Sequence, residues 1–139
     1  MSVRQLVVDE GAQADLIEIR RSDQRAAAAI LTALQEASSG PDGLESLTID
    51  GFENDWYEVS YVRFFGKEGL NVWRLKEGFL EEGWRAYRVV YGVDYARESI
   101  IILAVVSRDW NYDKSETDPQ SARIRAAYER HGISNIPRG

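Results

Sequence analysis

The sequence predicts an α+β fold, and three observations carry that prediction. A short β-rich run is followed by two helical patterns. Four closely spaced strand patterns then succeed one another through short turns. A last helical pattern opens on Asp118-Pro119. Strands joined by short turns imply an antiparallel meander, and helices grouped away from them imply segregation from the sheet. The expected order is β-α-α-β-β-β-β-α, an antiparallel meander sheet packed against an N-terminal helical hairpin and a C-terminal helix in two layers.

Each element has its own warrant. Val3–Val8 (V-R-Q-L-V-V) is β-rich and is closed by Asp9-Glu10-Gly11. Ala12–Arg21 reads as a helix with Leu16, Ile17 and Ile19 as its apolar part. Ser22-Asp23 supplies a cap for the next helix, because a short side-chain oxygen can accept the first free N–H groups. That helix carries Ala26, Ile30, Ala33, Leu34 and Ala37 at spacings of three and four. Its alanine run, Ala26–Ala29, suits close packing, and Ser38-Ser39-Gly40-Pro41 ends it. Residues 44–55 are acidic and weakly patterned, and read as a loop. Strands are expected over Trp56–Phe65, Asn71–Lys76, Arg85–Asp94 and Ser99–Ser107. The last is apolar at nearly every position, as in a central strand covered on both faces. Pro119 suits the first turn of a helix, with Ile124, Ala127 and Tyr128 as its inward stripe and Gly132 as its stop.

At 139 residues the chain is read as one domain, residues 1–139, with an acidic insertion around residues 41–62. There is no Cys, which excludes disulfides, thiol nucleophiles and thiolate metal sites. The single His, His131, excludes a His-rich metal cluster and is read as a favourable charge at a helix end. No phosphate-cradling glycine loop is present. No cofactor and no metal are expected. No apolar run is long enough to span a bilayer, so no membrane association is expected, and the N-terminus lacks a signal-peptide stretch; the expected location is the cytoplasm. The net charge of −6 is uneven. Residues 1–62 hold 4 basic and 12 acidic residues, whereas residues 63–108 hold 8 basic and 6 acidic. A locally basic region of this kind can bind phosphate even in an acidic chain.

The candidate chemistry lies in that region. Arg74 and Lys76 are two apart and leave one face of their strand, opposite Trp73 and Leu75. Arg88 sits among apolar residues of the next strand. Arg108 ends the apolar strand, and Tyr112 follows four residues later. If the strands are neighbours, these cations can gather on one face and hold a phosphodiester. Each residue also has a bland reading: Arg74 and Lys76 as solvated strand positions, Arg88 paired with Glu53 or Asp55, Arg108 paired with Asp109 at the surface, Tyr112 packed on the last helix. The carboxylates Glu81, Glu82, Asp109 and Asp113 read as solvated. The four tryptophans read as core, with base stacking by Trp84 or Trp110 as the lesser alternative.

Over Val72–Tyr112 the chain resembles the RelE/ParE superfamily of bacterial toxins from toxin–antitoxin pairs. The resemblance is carried by V-W-R-L-K, by Y-R-V-V-Y-G-V, and by L-A-V-V-S-R closing on N-Y. The opening L-V-V-D-E-G-A-Q-A-D-L resembles the family's first strand and first helix. The resemblance implies a RelE-like fold and, for the RelE-like branch, a metal-independent endoribonuclease that cuts mRNA, on the ribosome, with a cognate antitoxin as partner. It assigns catalytic positions to Lys76, Arg88, Arg108 and Tyr112, and backbone binding to Arg74. Arginines suit charge stabilisation, because their planar forks hold phosphate and stay charged. Neighbouring cations favour deprotonated lysine or tyrosine, which makes Lys76 or Tyr112 the candidate base. The alternative is a non-enzymatic protein-binding module of the same fold, a ParE-like gyrase inhibitor or an inactive interaction protein.

Overall fold

The computed structural model describes residues 3–79, 83–110 and 118–133. Its elements are β1 (Gln5–Val8), α1 (Glu10–Ser22), α2 (Gln24–Ser39), a 3₁₀ turn (Leu44–Thr48), β2 (Tyr57–Tyr61), α3 (Arg63–Gly66), β3 (Val72–Glu77), β4 (Tyr87–Asp94), β5 (Ser99–Ser107) and α4 (Pro119–Arg130). The five strands form one sheet in the order β1-β5-β4-β3-β2. Neighbours from β2 to β5 are antiparallel, and β1 alone runs parallel, against β5. The molecule is α+β, as the residue patterns predict.

The caps explain where the helices begin. Asp9 accepts from Gly11 N–H at the start of α1, Asp23 from Ala26 N–H at the start of α2, and Asp118 from Ser121 N–H at the start of α4. Gly132 takes the left-handed conformation (φ 61°) just past α4. Ala26, Ala27, Ile30, Ala33, Leu34 and Ala37 of α2 are all buried against Val89, Tyr91, Val93, Ile100 and Ile102. The small side chains allow α2 to lie close to α1, its partner in the hairpin.

Three features differ from expectation. The helices lie on both faces of the sheet, so there are three layers. The α1–α2 hairpin shares its core with one set of strand residues, while Ile124, Ala127 and Tyr128 of α4 pack with Val72, Val90, Ile101, Leu103 and Val106 on the other. This is why β5 is apolar throughout. A bulge deepens the effect: Val90 pairs with Ala104 but Tyr91 pairs with Ile102, so the extra Leu103 joins Ala104 on the α4 side. The strand expected over Trp56–Phe65 ends at Tyr61, and Phe64 and Phe65 belong to the short α3, packed near Trp110. Finally, the stretch read as a loop over residues 44–55 contains the 3₁₀ turn. Its Leu44 and Leu47 are buried in the main core, and Ser46 Oγ lies 2.7 Å from the buried Tyr57 hydroxyl. Apolar residues only three apart at a 3₁₀ pitch present one buried edge without any longer periodic pattern.

β1 stops short of the end of β5. Its ladder ends at Val8 opposite Ile102, and Asp9 N–H extends it by one bond to Ile102 O (2.9 Å). Beyond that point Asp15 of α1 takes over, accepting from Val105 N–H at 2.9 Å. The same carboxylate accepts from Arg123 of α4 at 2.9 Å. Asp9 accepts in turn from Arg130 at 2.7 Å and lies 2.8 Å from His131 Nε2. Two ionic staples therefore join α1 to α4 around the exposed margin of β5. A further buried tie is Asn71, whose N–H donates to the Tyr128 hydroxyl, whose amide donates to Val93 O, and whose oxygen accepts from Trp73 Nε1 (2.7 Å).

Gly78 follows β3 where the chain touches the segment before β2. A Cβ there would lie 2.5 Å from both Asn54 O and Tyr57 N. Backbone cannot yield as a flexible side chain can, so Gly78→Ala is expected to lower stability by about 2 kcal/mol or more, read from urea unfolding midpoints.

Candidate functional site

The ladders fix which way the predicted cations leave the sheet. Arg74 pairs with Val90, and Lys76 pairs with Glu58. Directly paired residues share a face, and so do residues two apart. Arg74, Lys76, Arg88 and Val90 thus leave the same face, the one that α4 covers in part. Arg88 pairs with Val106 of β5, and beyond β5 the ladder continues as Arg108 N–H donates to Ala86 O at 2.9 Å. Three of the predicted cations therefore share one face of two adjacent strands, and the fourth follows the neighbouring strand's end. Tyr112 lies outside the described residues, as do Glu81, Glu82 and Asp113.

Acids accompany two of these cations. Lys76 Nζ is 3.4 Å from Glu58 Oε2, with about a third of each side chain exposed. Arg88 is held more firmly. Its side chain is 12% exposed, and Nη1 lies 3.4 Å from Glu77 Oε2. The same nitrogen donates to Arg85 O at 3.0 Å and Tyr87 O at 2.8 Å. Arg85 Nε is also 3.9 Å from Glu77. Among the described residues the acid beside Arg88 is thus Glu77, at the end of the adjacent strand, and not Glu53 or Asp55. Arg74 has an interacting partner as well, whereas the exposed Arg108 shows no ion pair to Asp109 or to another acid among the described residues.

Sequence reading missed Glu58 and Glu77 as neighbours of the cations. For Glu58 the signal was present in the strand alternation, since it has the parity of Ser60 and pairs across to Lys76, but it needed the β2–β3 register to be read; Glu77 has the opposite parity and gave no such signal. The Lys76–Glu58 pair is solvated, so its contribution to folding is small. Glu58→Gln is expected to shift stability by less than ~1 kcal/mol in urea unfolding, with the shift vanishing in high salt.

The tryptophans behave as core. Trp84 is fully buried, Trp73 is nearly so, and Trp110 Nε1 donates to Asp118 at 2.7 Å. His131 is not a lone helix-end charge, since it touches the buried Asp9. Among the described residues, no helix is long and apolar enough to cross a membrane.

A cleft lies elsewhere. It has a volume of about 410 Å³ and is lined by Asp50, Tyr61, Gly66, Gly69, Leu70, Asn71, Trp73 and Tyr95. It sits where β2 and β4 end and β3 begins, at the opposite end of the strands from Lys76 and Arg88. Neither Arg74, Lys76, Arg88 nor Arg108 lines it.

No family model matches the chain, and no curated protein matches it. Among solved structures, the chain is similar to a chain of the toxin–antitoxin complex RelBE2 from Mycobacterium tuberculosis. The TM-score is 0.41 and the identity 18%, over 76% of this chain and 99% of that one.

Proposed function

We propose that this protein is the toxin of a toxin–antitoxin pair and a metal-independent endoribonuclease that cuts mRNA on the ribosome in the cytoplasm. The observation that carries the reading is the shared face of Arg74, Lys76 and Arg88 on β3 and β4, with Arg108 following β5. The order of one strand, two helices and a meander agrees with the RelE/ParE resemblance.

In this reading the ribose 2′-oxygen attacks the adjacent phosphorus, a 2′,3′-cyclic phosphate forms, and the 5′-oxygen leaves with a proton. Lys76 or Tyr112 takes the 2′-hydroxyl proton. Arg88 and Arg108 meet the charge that grows on the phosphoryl oxygens, and Arg74 binds the backbone. The phosphodiester displaces the carboxylate at Arg88, so that phosphate oxygens replace Glu77 there. Arg88 is suited to this exchange, because its bonds to Arg85 O and Tyr87 O hold the guanidinium while the anion changes.

The acid partners also favour a second reading, a protein-binding module of the same fold. Lys76 and Arg88 are each already matched by an acid, and the whole chain carries −6. Primer extension on mRNA after induced expression separates the two. Codon-spaced cuts are expected for the nuclease. Growth arrest without cuts would instead favour gyrase inhibition or another protein target, and normal growth would mark an inactive homologue.

A further inference from the structure

The cleft at the far end of the sheet has a chemistry of its own, independent of the ribonuclease reading. Among the described residues, three aromatic side chains and one carboxylate line it, and no basic residue does. Tyr61 meets Trp73 edge-on, with centroids 5.1 Å apart and planes at 70°. Its ring is also held against the backbone of Gly66, where a Cβ would collide with the phenol. This wall is therefore built before any ligand arrives. Trp73 Nε1 is already committed to Asn71, and Asn71 is fully engaged with Tyr128 and Val93, so neither offers the cleft a free polar group.

What remains free is rich in acceptors. Asp50 Oδ1 accepts from Tyr61 N–H at 3.0 Å, while its other oxygen has no partner among the described residues. The Tyr61 and Tyr95 hydroxyls likewise have no hydrogen-bond partner among the described residues. An anion has no counter-charge here. A planar cation with several N–H donors does, since it can donate to the carboxylate and lie along aromatic surface. We infer that this cleft receives the guanidinium of an arginine side chain from a partner protein. The charge complementarity rests on Asp50, the carboxylate that lines the cleft.

The test uses the full chain, isotope-labelled, titrated with blocked arginine (N-acetyl-arginine amide) and followed by amide chemical shifts. Saturable shifts are expected at Asp50, Tyr61 and Leu70. Blocked citrulline has the same shape without the charge and is expected to bind about tenfold more weakly. Asp50→Asn keeps an acceptor for Tyr61 N–H, so its fold is preserved, and it is expected to weaken arginine binding by about tenfold as well. Tyr95→Ala, at a half-buried turn position, is expected to weaken it further. Absence of saturable shifts at these amides, equal binding of citrulline, or shifts produced only by adenosine monophosphate would each overturn the assignment.

Discussion

Arg88→Ala is expected to abolish growth inhibition while the protein still folds. Arg88 is the candidate cation most firmly fixed by the structure. Two backbone carbonyls and Glu77 hold its guanidinium, and only 12% of the side chain is exposed. A fixed donor costs no reorganisation when charge develops on the phosphoryl oxygens, which is where electrostatic catalysis has its largest effect. Removing such a donor lowers a rate by about 10²–10³-fold, enough to turn a toxic level of cleavage into a tolerated one. The stability cost is smaller. Truncation deprives Glu77 of its 3.4 Å partner but leaves Arg85 nearby, and the two carbonyls lie at the end of β4 where water can replace a donor. A loss of about 1–2 kcal/mol is expected from the hydrogen bonds. Melting curves of the purified variant, taken beside the growth assay, separate the two effects. Arg88→Lys is the sharper probe, because an ammonium retains the charge but lacks the fork that could bond carbonyl and phosphate together. Arg88→Lys is therefore expected to remain strongly impaired. Full toxicity of a folded Arg88→Ala protein would remove Arg88 from the mechanism.

Local signals made much of the fold legible. Asp23, Asp118-Pro119 and Gly132 mark helix ends through short-range hydrogen bonds and φ preferences, and all act where expected. β5 declares itself because every position from Ile100 to Val106 is apolar, and its place inside the sheet follows. The same run hid the number of layers. A strand buried on both faces requires cover on both, yet the apolar stripe of α4, Ile124, Ala127 and Tyr128, does not say which face it covers. The apolar contacts of α4 with the sheet are joined by ionic ones, through Arg123 and Arg130 to Asp15 and Asp9, and no periodicity reports a pair more than 100 residues apart. The candidate site was half legible for a similar reason. Alternation within one strand gives the parity of Arg74 and Lys76 directly. The acids that meet the cations come from other strands or from strand ends, and register alone brings Glu58 opposite Lys76. The aromatic cleft was not legible at all, since Asp50, Tyr61, Trp73 and Tyr95 come from four separate stretches of chain.

Asp9→Asn is expected to be the most destabilising of the conservative substitutions, and to change how stability depends on pH. Asp9 is 3% exposed and does three tasks with two oxygens. Oδ2 caps α1 by accepting from Gly11 N–H, while Oδ1 accepts from Arg130 at 2.7 Å and lies 2.8 Å from His131 Nε2. An asparagine has one oxygen and one NH₂, so in either orientation a donor faces a donor, at the helix cap or at Arg130. The expected loss is about 2–3 kcal/mol, combining a charge-assisted bond with part of a cap. The sign of the pH effect follows from the carboxyl's surroundings. Burial alone would raise its pKa, but the hydrogen bonds from Arg130, His131 and Gly11, together with the Arg130 charge, outweigh burial and hold it below its ordinary value of 3.8. A carboxyl depressed in the folded state contributes stability that is complete above the unfolded value. That stability drains away as pH falls through the lower folded value. The native protein should therefore lose stability below about pH 4, whereas Asp9→Asn should be weaker at neutral pH and flatter in that window, so that the two urea-unfolding curves converge as acid is added. The Arg123–Asp15 staple is intact in both proteins, which makes the difference between the curves specific to Asp9. A constant gap between the two proteins from pH 7 to pH 2.5 would mean that the buried carboxylate does not hold α4 to the start of α1 through its charge.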